Sequence, residues 1–324
     1  MKKIGIAFLS SLAVLLTACG GAGGGGPTYT GVTTAADISN TNANQLVSGA
    51  YQNGNYGSKS AVAVVSGSDS TNRIDRPRAL AISDVLTSSL KKIDFAKASS
   101  TTATGATQSG SVTVSGSCGG SLTANISVDD VTGHFSGTVS YSNYCESGST
   151  INGSTNFSGT FNLSGGYIAQ YTATLNSLTV QACGESGTTS GTVSMAFNGS
   201  TTVTLNIELL IADNSTGKVY WINNLQYTIV AGAGYTDVSV SGKFYDPDYG
   251  YVTLSTSTPL RIYDGYYWPT SGVLNLTGAT GIAGGSTTAT FTATPTGYTI
   301  TADTDGDGVD DYADSGAWSA LGAC

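Results

Sequence analysis

Histidine is almost missing from this chain, with one residue, His134, among 324. Imidazole-based metal sites and Ser-His-Asp or Cys-His nucleophilic systems would all have to rest on that side chain. It follows Gly133 at the opening of an alternating stretch, the place of a turn or surface residue. No G-x-S-x-G elbow surrounds a serine, so that route to acyl hydrolysis is excluded. Charge is scarce as well, at 10% of residues, and positive charge is scarcest. Twelve Lys and Arg face 21 Asp and Glu, a formal net charge of −9. Such a balance argues against nucleic acid and anionic headgroups as partners, because both need a basic surface. The five cysteines contain no C-x-x-C spacing, which speaks against a structural zinc site. A glycosidase needs two carboxylates facing across a cleft. Asp246, Asp248, Asp264, Glu146, Glu185 and Glu208 are available, but nothing in the sequence pairs them.

The N-terminus is where pattern is strongest. Lys2 and Lys3 precede an apolar run from Ile4 to Leu16, then Leu16-Thr17-Ala18-Cys19 and a glycine-rich stretch. The run falls short of the ~20 residues that cross ~30 Å of hydrocarbon. The order basic, apolar, small, Cys resembles the lipobox of bacterial lipoproteins. That resemblance implies removal of residues 1–18 and acylation of Cys19, with palmitate-type chains holding the protein on the membrane. Several chains anchor far better than one. Losing two of the 12 basic residues with the signal takes the net charge from −9 to −11. Gly20, where an aspartate is absent, favours the outer membrane by resemblance to enterobacterial lipoproteins; whether the body faces the periplasm or the exterior stays open. Residues 19–30 then read as the lipidated cysteine and a flexible tether.

With Cys19 assigned to lipid, Cys118, Cys145, Cys183 and Cys324 remain, an even number in an exported chain, with three pairings open. Alternating up and down strands place Cys118, Cys145 and Cys183 at one end of a sheet. If the last strand lies near Tyr298–Ala302, the tail with Cys324 joins them, and the expected bridges are Cys118–Cys145 and Cys183–Cys324.

The body combines 44 glycines with 18 tyrosines and many Val, Ile and Thr, a composition of β-structure rather than disorder. Residues 31–107 read as a helical or irregular segment. Thr34-Ala-Ala-Asp37 resembles a helix start, with a helix over Ile38–Tyr51. A second helix over Ala79–Ile93 puts Ile82, Val85, Leu86, Leu90 and Ile93 on one stripe. Arg73, Arg76, Arg78, Lys91, Lys92 and Lys97 flank it as a solvated face. Over 108–302 the apolar period becomes two. Examples are Leu122-x-Ala124-x-Ile126-x-Val128 and Val203-x-Leu205-x-Ile207-x-Leu209, separated by turns such as Asp213-Asn-Ser-Thr-Gly217. The expected fold is mostly β. About a dozen strands form a large antiparallel up-and-down meander, curled into a half-barrel or split into two layers, with one or two N-terminal helices packed on it.

Residues 303–324 open with Asp303-Thr-Asp305-Gly-Asp307-Gly308-Val309-Asp310-Asp311-Tyr-Ala-Asp314. Carboxylates at positions 1, 3, 5, 9 and 12, glycine at 6 and a carbonyl at 7 supply hard oxygens for Ca²⁺. The loop resembles thrombospondin type 3 repeats, dockerins and the EF-hand. By that resemblance the ligands are Asp303, Asp305, Asp307, the Val309 carbonyl, Asp311 and Asp314. Aromatic residues cluster earlier, at Trp221, Tyr245, Tyr249, Tyr251, Tyr266, Tyr267 and Trp268. Beside carboxylates they suit sugar faces or a protein partner, and they suit cross-strand packing equally well. The expected function is a lipid-anchored envelope module for structure or adhesion, with glycan or an envelope protein as partner and a structural Ca²⁺. A polysaccharide hydrolase and a lipidated outer-membrane β-barrel component are the alternatives, the latter because barrels share the period of two.

Overall fold

The computed structural model describes residues 25–52, 82, 86–87, 90, 107–146, 149–164, 166–182, 185–266 and 268–318. One helix, α1 (Ala43–Gln52), precedes a run of strands: β1 Thr107–Ser115, β2 Gly119–Asp129, β3 His134–Glu146, β4 Ser149–Asn162, β5 Tyr167–Ala182, β6 Glu185–Phe197 and β7 Thr202–Asp213. The run continues with β8 Val219–Gly232, β9 Tyr235–Asp246, β10 Gly250–Tyr263, β11 Ser271–Thr280, β12 Ser286–Thr294, β13 Gly297–Asp303 and β14 Tyr312–Ala317. All 14 form one antiparallel sheet in chain order, and β1 and β14 do not pair, so the sheet is not closed.

Alternation decides the faces. On β2, Leu122, Ala124, Ile126 and Val128 are buried, and on β7, Leu205, Ile207 and Leu209. Their neighbours in sequence point to the outer face. Across the sheet the inner residues merge into one core, and each fully buried Leu, Ile or Phe contributes roughly 1.5–3 kcal/mol. α1 lies on that inner face against β9, β10, β12 and β13. Its Tyr51 stacks on Phe291 with ring centroids 4.8 Å apart. Of the second expected helix, residues 82, 86, 87 and 90 are described and are helical. Leu86 and Leu90 are buried, and the Thr87 hydroxyl meets the Tyr171 hydroxyl of β5 at 2.9 Å. The flanking Arg73, Arg76, Arg78, Lys91, Lys92 and Lys97 lie outside the described residues.

Two local expectations are corrected. Thr34–Asp37 does not begin a helix. It runs extended into a gap at the end of the β10–β11 pair, where both strands have backbone groups to satisfy. The Ala36 amide donates to the Tyr251 carbonyl, the Tyr251 amide to Thr34, and the Ala279 amide to the Ala36 carbonyl. The helix begins only after Asn42, whose side chain accepts from the Ser39 amide and donates to the Asp37 carbonyl. Second, Tyr298–Ala302 is not the last strand. β14 carries the chain back to the other end, so Trp318 stands opposite the end that holds Cys118. Its Tyr-Ala-Asp-Ser-Gly-Ala sequence has no apolar alternation to announce it.

A transverse seam bends the long strands. Register shifts interrupt the pairs from β3 to β6 and again from β7 to β9, with β6–β7 in continuous register between them, and the three non-glycine residues with positive φ in the described chain, Asn143, Ser177 and Asn224, all sit at such shifts. Each faces a glycine on the adjoining strand or lies beside one. At Gly191, φ is +135°, and a Cβ would stand 2.1 Å from the Glu208 carbonyl oxygen. Bulges of this kind raise the local twist and curl a sheet too wide to stay flat.

Candidate functional site

The odd-numbered strands end at what we call the Cys118 end and the even-numbered strands at the His134 end. At the Cys118 end, β13 and β14 are joined by the aspartate loop. It climbs through successive Asx turns, in which Asp303 accepts the Asp305 amide, Asp305 the Asp307 amide and Asp307 the Val309 amide. Gly306 and Gly308 take positive φ, +83° and +89°. Main-chain bonds from Ala283 and Gly285 to the Asp305 and Gly306 carbonyls clamp the loop to the β11–β12 turn.

Carboxylate oxygens of Asp303, Asp305 and Asp311 come within 4.8 Å of one another. At Asp303 burial raises the pKa, but amides of Gly306, Gly308, Asp305 and Asp307 outweigh it and hold the group below its ordinary range. At Asp305 the Asp307 amide pulls down, while burial and the charges of Asp307, Asp311 and Asp303 push harder, leaving it raised. Three hard oxygen donors in mutual repulsion fit a divalent cation chemically. Asp307 and Val309 are exposed on the loop. Asp314 stands apart on β14 opposite Ile300, its carboxylate accepting from Asn44 of α1 and from Tyr312.

The aromatic candidates separate into two groups. Trp221 and Tyr245 stack at 4.4 Å near the Cys118 end, with Tyr251 5.1 Å from Tyr245 and the Lys243 ammonium over the Tyr251 ring. Tyr29 covers them, 5.8 Å from both Trp221 and Tyr245. The N-terminal segment therefore crosses the outer face as a strap before it enters between β10 and β11. Tyr249 bonds Gln45 of α1. Asp246 beneath the strap is fully buried; its Oδ1 accepts the Asp248 amide, the Gln45 side chain of α1 stands beside the carboxyl, and among the described residues its Oδ2 has no hydrogen-bond partner of good geometry. Burial pushes its carboxyl up and the Asp248 charge adds to this, against the pull of the Asp248 and Tyr249 amides and the Gln45 side chain. Beside it the exposed Lys218 and Asp248 form an ion pair.

Tyr266 and Trp268 lie at the His134 end. Tyr266 is half exposed, whereas Trp268 stacks on buried Trp318 at 6.3 Å and donates to the Pro295 carbonyl. Tyr267 lies outside the described residues.

Cys118 and Cys145 form a disulfide with Cα atoms 5.1 Å apart, joining the β1–β2 turn to the end of β3. The β5–β6 turn belongs to the same end, but Cys183 and Cys324, like Cys19, lie outside the described residues.

A feature that motif reading passed over lies on the outer face of β1–β7. An open groove of about 720 Å³ is lined by Ser136, Ser158, Thr172, Ser194, Asn206 and His134 among others. Register carries a hydroxyl row across strands, pairing Ser127 with Ser136, Ser136 with Ser158, Ser158 with Thr172, Thr172 with Ser194 and Ser194 with Asn206. The exposed His134 Nδ1 lies 3.3 Å from the Gly159 carbonyl. Asp129 is the one carboxylate lining the groove, and its Oδ1 is engaged by the Val131 and Thr132 amides. In the sequence these serines and threonines read only as water-facing positions.

No family model matches the chain, and comparison with curated proteins and with solved structures finds no match.

Proposed function

We propose that this is a lipid-anchored module of the bacterial envelope that binds neutral glycan on the outer face of its sheet. The observation that carries the reading is the groove. Its hydroxyls, amides and single imidazole both donate and accept hydrogen bonds, and its volume falls in the ~300–1,000 Å³ range of small-ligand sites. The stacked Trp221–Tyr245 pair serves less well as a sugar platform, because Tyr29 lies against it. A polysaccharide hydrolase would need a second carboxylate across the groove from Asp129.

Acylation at Cys19 leaves ten residues to Tyr29, at most about 36 Å of extended chain. The Cys118 end would then lie toward the membrane. The His134 end, which His134 of the groove and exposed Tyr266 share, would stand further out by a strand length of ~40–50 Å. Outer-membrane residence follows from the lipobox reading. Ca²⁺ at Asp303, Asp305 and Asp311 would neutralise the loop that joins the last two strands and hold it in place.

A glycan array probed with the chain lacking residues 1–18 and carrying Cys19→Ser is the test. Binding that falls at least tenfold in Ser158→Val/Thr172→Val and persists in Trp268→Ala supports the groove. Loss in Trp268→Ala alone moves the site to Trp268 and exposed Tyr266, and no binding to any neutral glycan sinks the glycan reading. Radiolabelled palmitate incorporated into the full chain but not into Cys19→Ser tests the anchor separately.

A further inference from the structure

The groove on the outer face has a direction. It is lined from seven consecutive strands, β1 at Thr107 to β7 at Asn206, yet on no strand does it span more than three successive residues. It therefore runs across the strands. Six strand spacings of about 4.8 Å make it ~29 Å long, and three residues along a strand set its walls ~7 Å apart. A volume of about 720 Å³ spread over that length is a trough rather than a bowl.

Two rows of side chains form the walls. On one side Ser136, Ser158, Thr172 and Ser194 follow one another in register; on the other, His134 pairs with Thr160, Thr160 with Gln170 and Gln170 with Ala196. No register shift falls between these rungs, so they keep the spacing of the strands. The Thr172 and Ser194 hydroxyls meet at 2.9 Å, and the Gln170 side-chain amide donates to the Thr160 hydroxyl at 3.4 Å. A hydroxyl has one proton and two lone pairs, so such contacts leave both walls with capacity for a ligand. From β3 to β7 the lining contains no carboxylate, Lys or Arg.

We infer that the trough holds a linear, equatorially linked neutral glycan, one extended chain lying across the strands. This rests on the glycan reading above and narrows it. A chain joined through equatorial bonds is a flat ribbon in which every sugar shows hydroxyls on both edges and advances the chain by about one strand spacing. Laid in the trough, each edge meets one wall rung by rung, and about six sugars fill the length. An axially linked chain coils away from the rungs, and a compact branched glycan reaches only a few of them. An extended peptide repeats its side chains on one edge every ~6.8 Å, out of step with rungs ~4.8 Å apart. An anionic polymer would meet Asp129 at one end and no cationic Lys or Arg along the lining.

Titration calorimetry on the full-length chain, purified in a detergent without a sugar headgroup, tests this. The probes are cellotriose and cellohexaose, the trimer and hexamer of chitin, and maltohexaose, whose linkage is axial. One of the two ribbon hexamers is expected to bind at least tenfold tighter than its own trimer and than maltohexaose. Which of the two does so tells whether the sugar carries a hydroxyl or an acetamide. Ser194→Trp, which blocks the trough on its sixth strand, should bring the hexamer to within threefold of the trimer. Unchanged trimer binding in that variant shows that the fold is intact. Ser140→Trp, exposed on the same face two rows away, should leave hexamer affinity unchanged. Maltohexaose bound as tightly, a hexamer no tighter than its trimer, or equal losses in the two Trp variants would overturn the ribbon and leave the glycan reading standing. No binding of these probes beside binding of other neutral glycans on the array also overturns the ribbon alone, and silence in both experiments overturns both readings.

Discussion

The hydroxyl of Tyr29 reaches the backbone carbonyl of Asp246 at 3.0 Å, across 217 residues of chain. The same hydroxyl bonds the Val32 carbonyl at 2.7 Å. This contact ties the N-terminal strap to the β9–β10 turn. It also roofs the Asp246 side chain, which makes that carboxyl sensitive to pH.

Because the folded-state pKa of Asp246 is raised, its proton favours the fold. That stability is complete below the ordinary carboxylate range near 4 and is lost as pH climbs through the raised value. Asp246→Asn keeps an oxygen for the Asp248 amide and cannot ionise. Thermal melts should show Asn above Asp by a few degrees at pH 7, with the gap closing toward pH 4. A constant gap, or a less stable variant at pH 7, contradicts the assignment.

The seam predicts a sharp contrast between glycines. Gly191→Ala places a methyl group 2.1 Å from the Glu208 carbonyl oxygen at φ +135°, and should cost roughly 2–4 kcal/mol in urea unfolding. Gly217→Ala also has positive φ but open space around it, and should cost about 1 kcal/mol. Equal losses would mean that close approach at the seam is unimportant.

Cys118–Cys145 closes a loop of 27 residues, for which chain entropy gives about 3–4 kcal/mol. Cys118→Ser/Cys145→Ser should lose close to that amount in denaturant titration. Urea midpoints that match between the variant and the oxidised parent would show the bridge to be dispensable.

Calcium at extracellular-type affinity, Kd about 10⁻⁴–10⁻³ M, would stabilise the chain at 10 mM by about 1.4–2.7 kcal/mol. Melting with and without the ion should show a rise that Asp305→Asn/Asp311→Asn removes. A melting temperature indifferent to Ca²⁺ would dismiss the site.

Much of the architecture could be read from residues such as Leu122, Ile126, Leu205 and Ile207, because a period of two assigns faces without knowledge of neighbours. β5 and β10 were harder, since Ser177 and the register shift after Val252 break their alternation. β1, with only Val112 and Val114 as apolar residues, offered too little pattern. The Asp303–Asp311 spacing was visible because a metal-type loop is local in sequence. The groove was not, because Ser136, Ser158 and Thr172 become neighbours only through register.

The sequence alone determined that the chain is an antiparallel meander with a buried inner face, that its four later cysteines could pair, and that aspartates crowd one loop. These are consequences of local period, turn chemistry and composition. Tertiary structure alone decided that Ala36 lies between Tyr251 and Ala279, that Tyr29 covers the Trp221 platform, and that β14 carries Trp318 to the end opposite Cys118. The first two of these depend on backbone groups left unsatisfied at one place being met by residues from far along the chain. No spacing along the sequence encodes such a meeting.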